Sequence, residues 1–455
     1  MIPVEKDKEY TIKIDSVSSD GNGVGHIDGF AVFVPLTAEG DCVRVKIVSV
    51  RKRFAHGVLV EIVEPSSQRC EPVCECYEAC GGCQLRHIHY ENQLKIKKNI
   101  IGNALHRLGG FSDVAVDEVV GMEKPERYRN KTVFPVDIVD GELSCGFYAQ
   151  QSHNIVPVAD CLISDGLYSH VNNAVLDYMR ENEVSVYDEA AHKGIVRRVF
   201  MRKSFSTGEV MVVISANTRE LPHSENLVSK LRSISDKIVS IILNINTKKG
   251  NFVITDKNVT LWGSDRIHDT LCGIDFSISP QSFFQINPVQ TEKLYSTALD
   301  FARLDKSMSV MDIYCGIGTI SLCAARQAKR VIGVEIVERA IEDAKENASR
   351  NGIDNAEFYA DSAENIVPKL IAQGESPDVI ILDPPRKGSD EKTLTAIVKA
   401  QPKRIVYVSC NPATLARDAR FLADRGYIVT KVKGFDLFPH TAHVETVCLM
   451  SRIDE

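Results

Sequence analysis

The chain of 455 residues has 44% hydrophobic and 25% charged residues, a composition typical of soluble globular proteins with two or three domains at this length. The formal net charge of −7 argues against a protein that binds polyanions without selectivity. No stretch approaches the roughly 20 apolar residues of a membrane span, and charges among the first eight residues disfavour a secretory signal. We therefore expect a cytoplasmic protein without a membrane partner.

Residues 1–63 predict a small β-barrel. Segments such as 10–14, 30–35 and 42–47 alternate like short strands, and glycines separate them. About five strands at this spacing are typical of an OB-like barrel, a shape that often binds RNA. Basic clusters at 44–53, 127–131 and 197–203 are either solvated faces or further RNA contacts.

A group of five cysteines follows the barrel, within fourteen residues: Cys70, Cys74, Cys76, Cys80 and Cys83. Thirteen cysteines in a chain predicted to be cytoplasmic favour metal binding or catalysis over disulfides. The spacing Cys76-x3-Cys80-x2-Cys83 is that of radical S-adenosylmethionine enzymes. The spacing Cys74-x5-Cys80-x2-Cys83 would instead close a [4Fe–4S] cluster with one distant cysteine. A structural zinc site is a further alternative.

Residues 64–270 predict an α+β central domain without internal repeats. The hydrophobic patterns favour helices over 90–108 and 162–181, and strands over 195–201 and 210–215.

Residues 271–455 alternate between strand and helix patterns, with the change beginning near residue 275. We expect an α/β domain of Rossmann-like form, an open and mostly parallel sheet covered on both faces. A helix is predicted over 337–350. The predicted strands are 308–314, 330–335, 357–359, 379–382 and 404–409. Ligands of such sheets bind at the carboxyl ends of the strands.

A glycine-containing turn after the first of these strands, Tyr314-Cys315-Gly316-Ile317-Gly318-Thr319, predicts a site for a nucleoside-bearing ligand. A dinucleotide fingerprint would need a third glycine where Ser321 stands, so NAD is disfavoured. Acidic residues follow the next three strands: Glu335, Asp361 and Asp383. We expect Glu335 to bind ribose hydroxyls and Asp361 an adenine amino group. The whole pattern favours S-adenosylmethionine.

The segment after the fifth strand presents Cys410, and Glu445 follows 35 residues later. An isolated buried thiol is usually inert packing. Its place beside the predicted methyl-donor site favours a nucleophile instead, because a thiol can add to C6 of a pyrimidine and activate C5. A carboxylate such as Glu445 would then remove the C5 proton. We expect Arg386 to lower the pKa of Cys410.

Four motifs together resemble the RNA uracil-C5 methyltransferase family. They are Tyr314-Cys315-Gly316-x-Gly318, Asp383-Pro384-Pro385-Arg386-Lys387-Gly388, Ser409-Cys410-Asn411-Pro412-Ala413-Thr414-Leu415-Ala416-Arg417-Asp418 and His443-Val444-Glu445. The N-terminal barrel resembles the TRAM domain of that family. The resemblance covers essentially the whole chain.

This resemblance implies that Cys410 attacks C6 of a uridine and that Glu445 is the base. It implies donor contacts from Gln285, Tyr314, Gly316, Gly318, Thr319, Glu335, Asp361 and Asp383. It implies substrate contacts from Phe283, Asp383 and Arg386, with Phe283 stacking on a flipped uracil. Thr319 stands where relatives often carry Asn, which departs from the family pattern.

The resemblance also implies a closed [4Fe–4S] cluster on Cys74, Cys80, Cys83 and Cys161, and methylation of 23S ribosomal RNA in a single-stranded or loop region. We expect RNA and not DNA as the partner, and a monomer. Alternatives are a tRNA uridine, cytosine C5, and a non-catalytic RNA-binding module.

Overall fold

The computed structural model describes residues 2–150 and 152–453. An N-terminal closed barrel has the strand order β1-β2-β3-β5-β4, with β3 and β5 parallel. Its strands are β1 (Glu9–Val17), β2 (Gly23–Ile27), β3 (Phe30–Val34), β4 (Cys42–Val50) and β5 (Phe54–Glu64). Alternate residues such as Ile12 and Ile14 are buried inside, as the sequence pattern predicts.

Helix α1 (Tyr90–Arg107) follows the cysteine-rich segment and ends one residue before the predicted boundary. Its buried face carries Ile96, Ile101 and Leu105, and it packs against the C-terminal domain. Gln93 and Lys97 are also fully buried on this helix, which is unusual for such polar side chains.

The central domain is a seven-stranded sheet with the order β12-β11-β10-β9-β6-β7-β8. Its elements are β6 (Lys131–Val139), β7 (Glu142–Tyr148), β8 (Ile155–Pro157), α2 (Leu167–Glu181), β9 (Val196–Lys203), β10 (Val210–Ala216), α3 (Ser224–Ile234), β11 (Ile238–Ile245) and β12 (Asn258–Gly263). Strand β10 is buried on both faces: Val212 packs with α2 and α3, whereas Val213 faces the C-terminal domain.

The predicted helix over 162–181 begins five residues later than expected. Ser164 forms a bridge to Arg129, and the carboxylate of Asp165 accepts a hydrogen bond from the backbone N–H of Leu167 at 2.9 Å. These contacts fix residues 162–166 as a turn that leads into α2, so the apolar pattern overestimates the helix.

A hairpin of β13 (Ile267–Leu271) and β14 (Ile274–Ile278), followed by α4 (Pro288–Ala302), joins the central and C-terminal domains. Asn287 begins α4 by accepting a hydrogen bond from the backbone N–H of Gln290, and Pro288 occupies the first helical position. The segment between β14 and α4 carries Phe283 and Gln285. It contacts the central domain through Asn130 and Arg202, and the hydroxyl of Ser282 donates to Asp343 of the C-terminal domain.

The C-terminal domain is a seven-stranded sheet with the order β17-β16-β15-β18-β19-β21-β20. Its elements are β15 (Ser309–Ile313), α5 (Thr319–Ala325), β16 (Arg330–Glu335), α6 (Glu338–Arg350), β17 (Ala356–Ala360), α7 (Ala363–Ala372), β18 (Val379–Leu382), α8 (Glu391–Ala400), β19 (Arg404–Ser409), α9 (Pro412–Ala423), β20 (Tyr427–Phe435) and β21 (Glu445–Arg452).

The first five strands of this sheet are parallel, and β21 runs antiparallel between β19 and β20. The predicted α/β fold is confirmed. The chain order reverses at β15, and such a reversal opens a crevice at the carboxyl edge of the sheet. Among residues 2–150 and 152–453, no helix is long and apolar enough to span a membrane.

Candidate active site

A cavity of about 690 Å³ opens at the point where the strand order of the C-terminal sheet reverses. Most of the site residues predicted from the sequence line it: Phe283, Gln285, Tyr314, Gly316, Thr319, Glu335, Asp383, Arg386, Cys410 and Glu445. They come from the ends of four parallel strands, from the start of β21 and from the segment before α4. The fold thus gathers into one wall residues that are up to 162 positions apart (283 to 445).

The turn between β15 and α5 is a strained backbone segment that faces the cavity. Tyr314 has a φ of 74°, although it carries a side chain, and Gly316 and Gly318 have φ of 56° and 83°. A Cβ on Gly318 would lie 3.2 Å from the ring of Phe358. Gly318 is therefore required for the turn and its packing, whereas Gly316 lines the cavity itself.

Two carboxylates frame this turn. Glu335 accepts hydrogen bonds from the backbone N–H groups of Gly316 at 3.2 Å and Val337 at 2.9 Å, which fixes its carboxylate at the cavity wall. Asp312 is fully buried on β15, and one of its oxygens accepts a hydrogen bond from Ser321 at 2.5 Å. The other oxygen of Asp312 has no partner within the described residues, and burial raises the pKa of this group to about 6.

Asp312 was not assigned a role in the sequence analysis, although it begins the segment that contains the glycine turn. An unpartnered carboxylate oxygen at a cavity wall is a ready acceptor for a ligand N–H group. Its position at the end of β15, two residues before Tyr314, is the signal that identifies it.

The structure places Asp361 away from the cavity wall. Its carboxylate accepts hydrogen bonds from the backbone N–H of Ser362 at 2.7 Å and from Asn365 at 3.3 Å, at the start of α7. The neighbouring Ser362 and Glu364 line the cavity instead. A donor contact through Asp361 therefore stays a prediction, because its carboxylate binds the residues that begin α7.

The mouth of the cavity is apolar and exposed. Phe283 is 62% exposed and lines the cavity, so its ring is accessible to a ligand. Behind it, the hydroxyls of Thr319 and Tyr295 are 2.9 Å apart, so the Thr319 side chain is already fixed by this contact. The backbone carbonyl of Gln285 accepts a hydrogen bond from Asn130 at 2.8 Å, which holds the Gln285 segment against the central domain.

Cys410 and Glu445 are brought together by the pairing of β19 with β21. The two strands are antiparallel and their pairing ends with Ser409 opposite Thr446, so Cys410 and Glu445 come from adjacent ends of the two strands. Both residues line the cavity, and the charge of Glu445 raises the pKa of Cys410.

A rigid turn presents Cys410 to the cavity. The Ser409 hydroxyl accepts a hydrogen bond from the backbone N–H of Asn411 at 3.1 Å and donates one to its carbonyl at 3.0 Å. Asn411 then caps helix α9 by accepting from the backbone N–H of Ala413. The side-chain amide of Asn411 donates to the carbonyl of Arg386 at 3.0 Å, which joins the two loops of the acceptor side.

The electrostatics of this site are dominated by burial and by like charges. Burial raises the pKa of Cys410 to about 11, and the carboxylates of Glu445 and Asp383 add to this effect. Arg386 lowers the pKa of Cys410 as expected, but it does not outweigh the other causes. Burial and the charge of Asp383 raise the pKa of Glu445 to about 8. Burial raises the pKa of Asp383 to about 7.

The irregular segment 436–444, which leads to Glu445, is held on all sides. Four of its backbone carbonyls accept hydrogen bonds. Asn287 donates to Leu437 at 3.1 Å, and Lys97 donates to Phe438 at 3.0 Å. Tyr128 donates to Pro439 at 3.2 Å, and the backbone N–H of Leu85 donates to His440 at 2.9 Å. Lys97 also forms a fully buried ion pair with Asp436 at 2.5 Å. This network fixes the approach of Glu445 to the cavity and explains the buried lysine on α1.

A second, smaller cavity of about 70 Å³ brings cysteines together. It is lined by Cys74, Cys76, Cys80, Cys83 and Cys161, with Arg86 and Arg129 beside them. Burial raises the pKa of Cys83 to about 11, and Arg86 opposes this effect. Cys70 does not line this cavity; its thiol lies 3.4 Å from the carbonyl of Arg86. The distant Cys161 thus joins the group that the sequence pattern placed at 70–83.

Comparison with known proteins adds a family to this geometry. The family model of tRNA (uracil-5-)-methyltransferases matches residues 89–453, and the TRAM domain model matches residues 3–60. An uncharacterized RNA methyltransferase of Clostridium acetobutylicum is 46% identical over 457 residues, which covers 100% of this chain and 99% of that protein. One of Clostridium tetani is 45% identical and covers 99% of this chain and 98% of that protein.

A solved structure shares the overall arrangement. The Pyrococcus abyssi tRNA (uracil-54, C5)-methyltransferase in complex with S-adenosyl-L-homocysteine is 27% identical, with a TM-score of 0.77. The match covers 97% of this chain and 99% of that one. The similarity therefore extends across the barrel, the central sheet and the C-terminal sheet.

Proposed function

Because the chain belongs to the tRNA (uracil-5-)-methyltransferase family and carries an N-terminal TRAM domain, we propose that it methylates C5 of a uridine in RNA through a covalent bond to Cys410. The observation that carries this proposal is that Cys410 and Glu445, at adjacent ends of β19 and β21, line one cavity and interact electrostatically. A thiol and a carboxylate in the lining of a cavity with space for a base fit this chemistry better than packing.

S-adenosylmethionine is the methyl donor in this proposal, and it supplies an electrophilic methyl group when bound. The residues of the donor side fit it: the left-handed turn at Gly316 leaves room for close approach, and Glu335 lies at the wall for ribose hydroxyls. The unpartnered oxygen of Asp312 suits a ligand ammonium or amide. The P. abyssi protein binds S-adenosyl-L-homocysteine, the demethylated form of the same ligand.

The protein residues act in two stages. The Cys410 sulfur forms a bond to C6 of the uracil, which moves an electron pair towards C5 and O4 and makes C5 a nucleophile. After C5 has gained its methyl group, Glu445 removes the C5 proton. The electron pair of that C–H bond restores the C5–C6 double bond, and the Cys410 thiolate leaves C6. Phe283 at the mouth is placed to stack on the extruded base.

Cys410 must be a thiolate to attack, and its raised pKa makes the thiolate scarce in the free site. The guanidinium of Arg386 stabilises that thiolate and is the positive charge that opposes the two carboxylates. Glu445 must likewise be ionised to accept a proton. Both requirements favour turnover at the alkaline side of neutrality.

RNA containing 5-fluorouridine at the target position tests the covalent step. Glu445 cannot remove fluorine as a proton, so the wild-type protein is expected to stop as a methylated adduct that survives denaturant. The Cys410→Ala variant is the matched control and should form no adduct. A wild-type protein that releases 5-methyluridine from ordinary RNA but never forms the fluorinated adduct would refute Cys410 as the nucleophile.

We propose 23S ribosomal RNA as the substrate, on the combination of a TRAM barrel with a cysteine-lined cavity. A tRNA uridine is the second candidate, because the P. abyssi protein named for tRNA uracil-54 matches nearly the whole chain. Mass spectrometry of nucleosides from separated 23S rRNA and tRNA, with and without this protein in the cell, decides between them. Loss of 5-methyluridine from tRNA alone would contradict the ribosomal assignment, and 5-methylcytidine would indicate the cytosine reaction.

We further propose that Cys74, Cys80, Cys83 and Cys161 hold a [4Fe–4S] cluster. No group of three or more His, Cys, Asp or Glu side chains within residues 2–150 and 152–453 is arranged around a single metal ion. The thiols that hold a cubane cluster do not surround a single metal ion, because each sulfur binds a different iron atom. All four thiols line one cavity with two arginines nearby, which suits an anionic cluster. Iron and sulfide analysis of anaerobically purified protein tests this; zinc without iron would overturn it.

A further inference from the structure

The loop between β11 and β12 presents an aromatic ring and two lysines to solvent. Phe252 is 51% exposed, and Lys248 and Lys249 on the same loop are also exposed. The ammonium group of Lys248 lies 5.5 Å from the centre of the Phe252 ring, within cation–π distance. About half of the ring surface therefore stays open to a ligand while the charge lies beside it.

This loop is held in place by two buried arginines of β9. Arg197 donates to the carbonyls of Lys248 at 2.8 Å and Gly250 at 2.7 Å, and Arg198 donates to the carbonyl of Phe252 at 2.7 Å. The two arginines are only 5% and 8% exposed. Burying a guanidinium is unfavourable unless its donors are satisfied, and here the loop carbonyls satisfy them.

The basic cluster at 197–203 is therefore not a surface patch at these two positions. Arg197 and Arg198 turn the loop carbonyls inward and so leave the loop side chains pointing outward. Asn246 supports the same arrangement by donating to the carbonyl of Phe252 at 2.8 Å. The exposure of Phe252 is thus built by the fold and is not the result of a loose loop.

The loop lies beside the mouth of the active-site cavity. Arg198 and Arg202 are four residues apart on β9, so they point to the same face at about 13 Å from each other. Arg198 binds the loop, and Arg202 donates to the carbonyl of Ser282, next to Phe283 at the mouth. Gln281, which lines the cavity, donates to the carbonyl of Thr255 in the same loop at 2.6 Å.

We propose that Phe252, Lys248 and Lys249 bind a nucleotide of single-stranded RNA that flanks the target uridine. Phe252 stacks on its base, and the lysines neutralise neighbouring phosphates. Aromatic side chains among positive charges along a groove are the usual means of binding single-stranded nucleic acid. Phe252 and Phe283 lie on two segments that are both held by arginines of β9, so RNA with its target base at Phe283 can continue towards Phe252. This inference rests on the proposed function and assigns the part of the substrate outside the cavity.

The test uses full-length protein and RNA methylation kinetics. Phe252→Ala is expected to raise the KM for RNA about tenfold, with kcat at saturating RNA and the KM for S-adenosylmethionine within twofold of wild type. Phe252→Trp should keep the KM for RNA near the wild-type value, because the tryptophan ring can also stack on the base. Phe205→Ala removes another exposed phenylalanine of the central domain and should leave all three constants unchanged.

Abasic nucleotides locate the contact. Removing the base at one position near the target should weaken binding to wild-type protein and have no further effect on Phe252→Ala. Lys248→Ala with Lys249→Ala should reduce the salt dependence of RNA binding. An unchanged KM in Phe252→Ala, no recovery in Phe252→Trp, or equal losses in both proteins at every abasic position would overturn the inference.

These outcomes differ from a failure of the proposed function. If the wild-type protein forms no 5-methyluridine in any RNA, the reaction itself is wrong. If wild type methylates RNA and Phe252→Ala matches it, only the flanking contact is wrong. If this surface instead binds a partner protein, Phe252→Ala should methylate RNA as well as wild type does but should no longer bind that partner.

Discussion

Cys410 and Cys83 are two thiols with similarly raised pKa values for which we propose different chemistry. Both are partly buried, and burial raises the pKa of each to about 11. Cys410 faces two carboxylates across a cavity of about 690 Å³, whereas Cys83 faces other cysteines and arginines across about 70 Å³. The proposed roles of nucleophile and metal ligand therefore rest on the neighbouring groups and on the size of the cavity, and not on the pKa of the thiol.

The supports behind the two thiols differ in the same sense. Cys410 stands after a strand of the sheet core, on a turn that Ser409 and Asn411 hold rigid. The segment of Cys83 has little regular structure and is anchored by isolated contacts such as the bridge between Cys80 and Ala149. We expect the first site to keep its shape without any ligand and the second to depend on what its cysteines bind.

The largest expected effect is that of Cys410→Ala. Methyl transfer should fall by several orders of magnitude, because the other thiol among the described lining residues, Cys315, is buried and burial raises its pKa well above the ordinary value. S-adenosylmethionine affinity, measured by calorimetry, and the midpoint of thermal unfolding should stay close to wild type. Turnover above about one per cent of wild type would show that Cys410 is not the nucleophile.

Glu445→Gln sharpens the nucleophile half of the comparison. The amide cannot accept the C5 proton, so a methylated Cys410–RNA adduct should accumulate and appear as a gel-shifted band that survives denaturant. Release of product should fall by at least about a hundredfold, whereas adduct formation falls far less. Glu364→Gln, which changes another carboxylate of the cavity lining, is the matched control. Normal product release by Glu445→Gln would assign proton removal to another group.

Cys83→Ser tests the ligand half of the comparison. The variant should lose iron and sulfide and unfold at a temperature lower by several degrees, because the cysteine-rich segment loses what holds it together. Cys70→Ser changes a cysteine of the same segment outside the cavity and should keep its iron. Equal iron content in both variants would mean that Cys83 is not a ligand.

The smallest expected effect concerns stability and pH. The folded pKa of Glu445 is raised to about 8 from an ordinary value of 4.5, so the unfolded chain loses this proton first as pH rises. As pH rises from about 4.5 to 8, the free energy of unfolding of wild type should therefore fall relative to that of Glu445→Gln. The difference is on the order of a few kcal/mol.

Denaturant unfolding of both proteins at pH 5, 6.5 and 8, without RNA, measures this difference. Glu357→Gln is the control, since Arg330 lowers the pKa of Glu357 and its contribution should be constant across that range. A stability difference between wild type and Glu445→Gln that does not change with pH would show that Glu445 is already ionised in the free site.

The local pattern of the sequence determined much of the fold. The bounds of β16, β18 and β19 agree with their predicted ranges. Each is a short apolar run between turns, so the sequence pattern marks where the buried strand begins and ends. The closed barrel and its inward residues were also predictable from alternation. The central domain was not: its seven-stranded order depends on pairings such as β6 with β9, about 65 residues apart, which no local pattern encodes.

For the active site, the sequence by itself determined which residues are candidates for the chemistry, because a thiol, a carboxylate and a glycine turn at strand ends can be recognised from residue type and spacing. Only the tertiary structure decided which of them meet. Asp361 is held away from the cavity wall by its chain neighbours Ser362 and Asn365. The pairing of β19 with β21 brings Cys410 and Glu445 to one cavity, and loop carbonyls hold Arg197 and Arg198 inside the protein. These last contacts are long-range hydrogen bonds, whose partners are fixed by the packing of the whole molecule and not by neighbours in the chain.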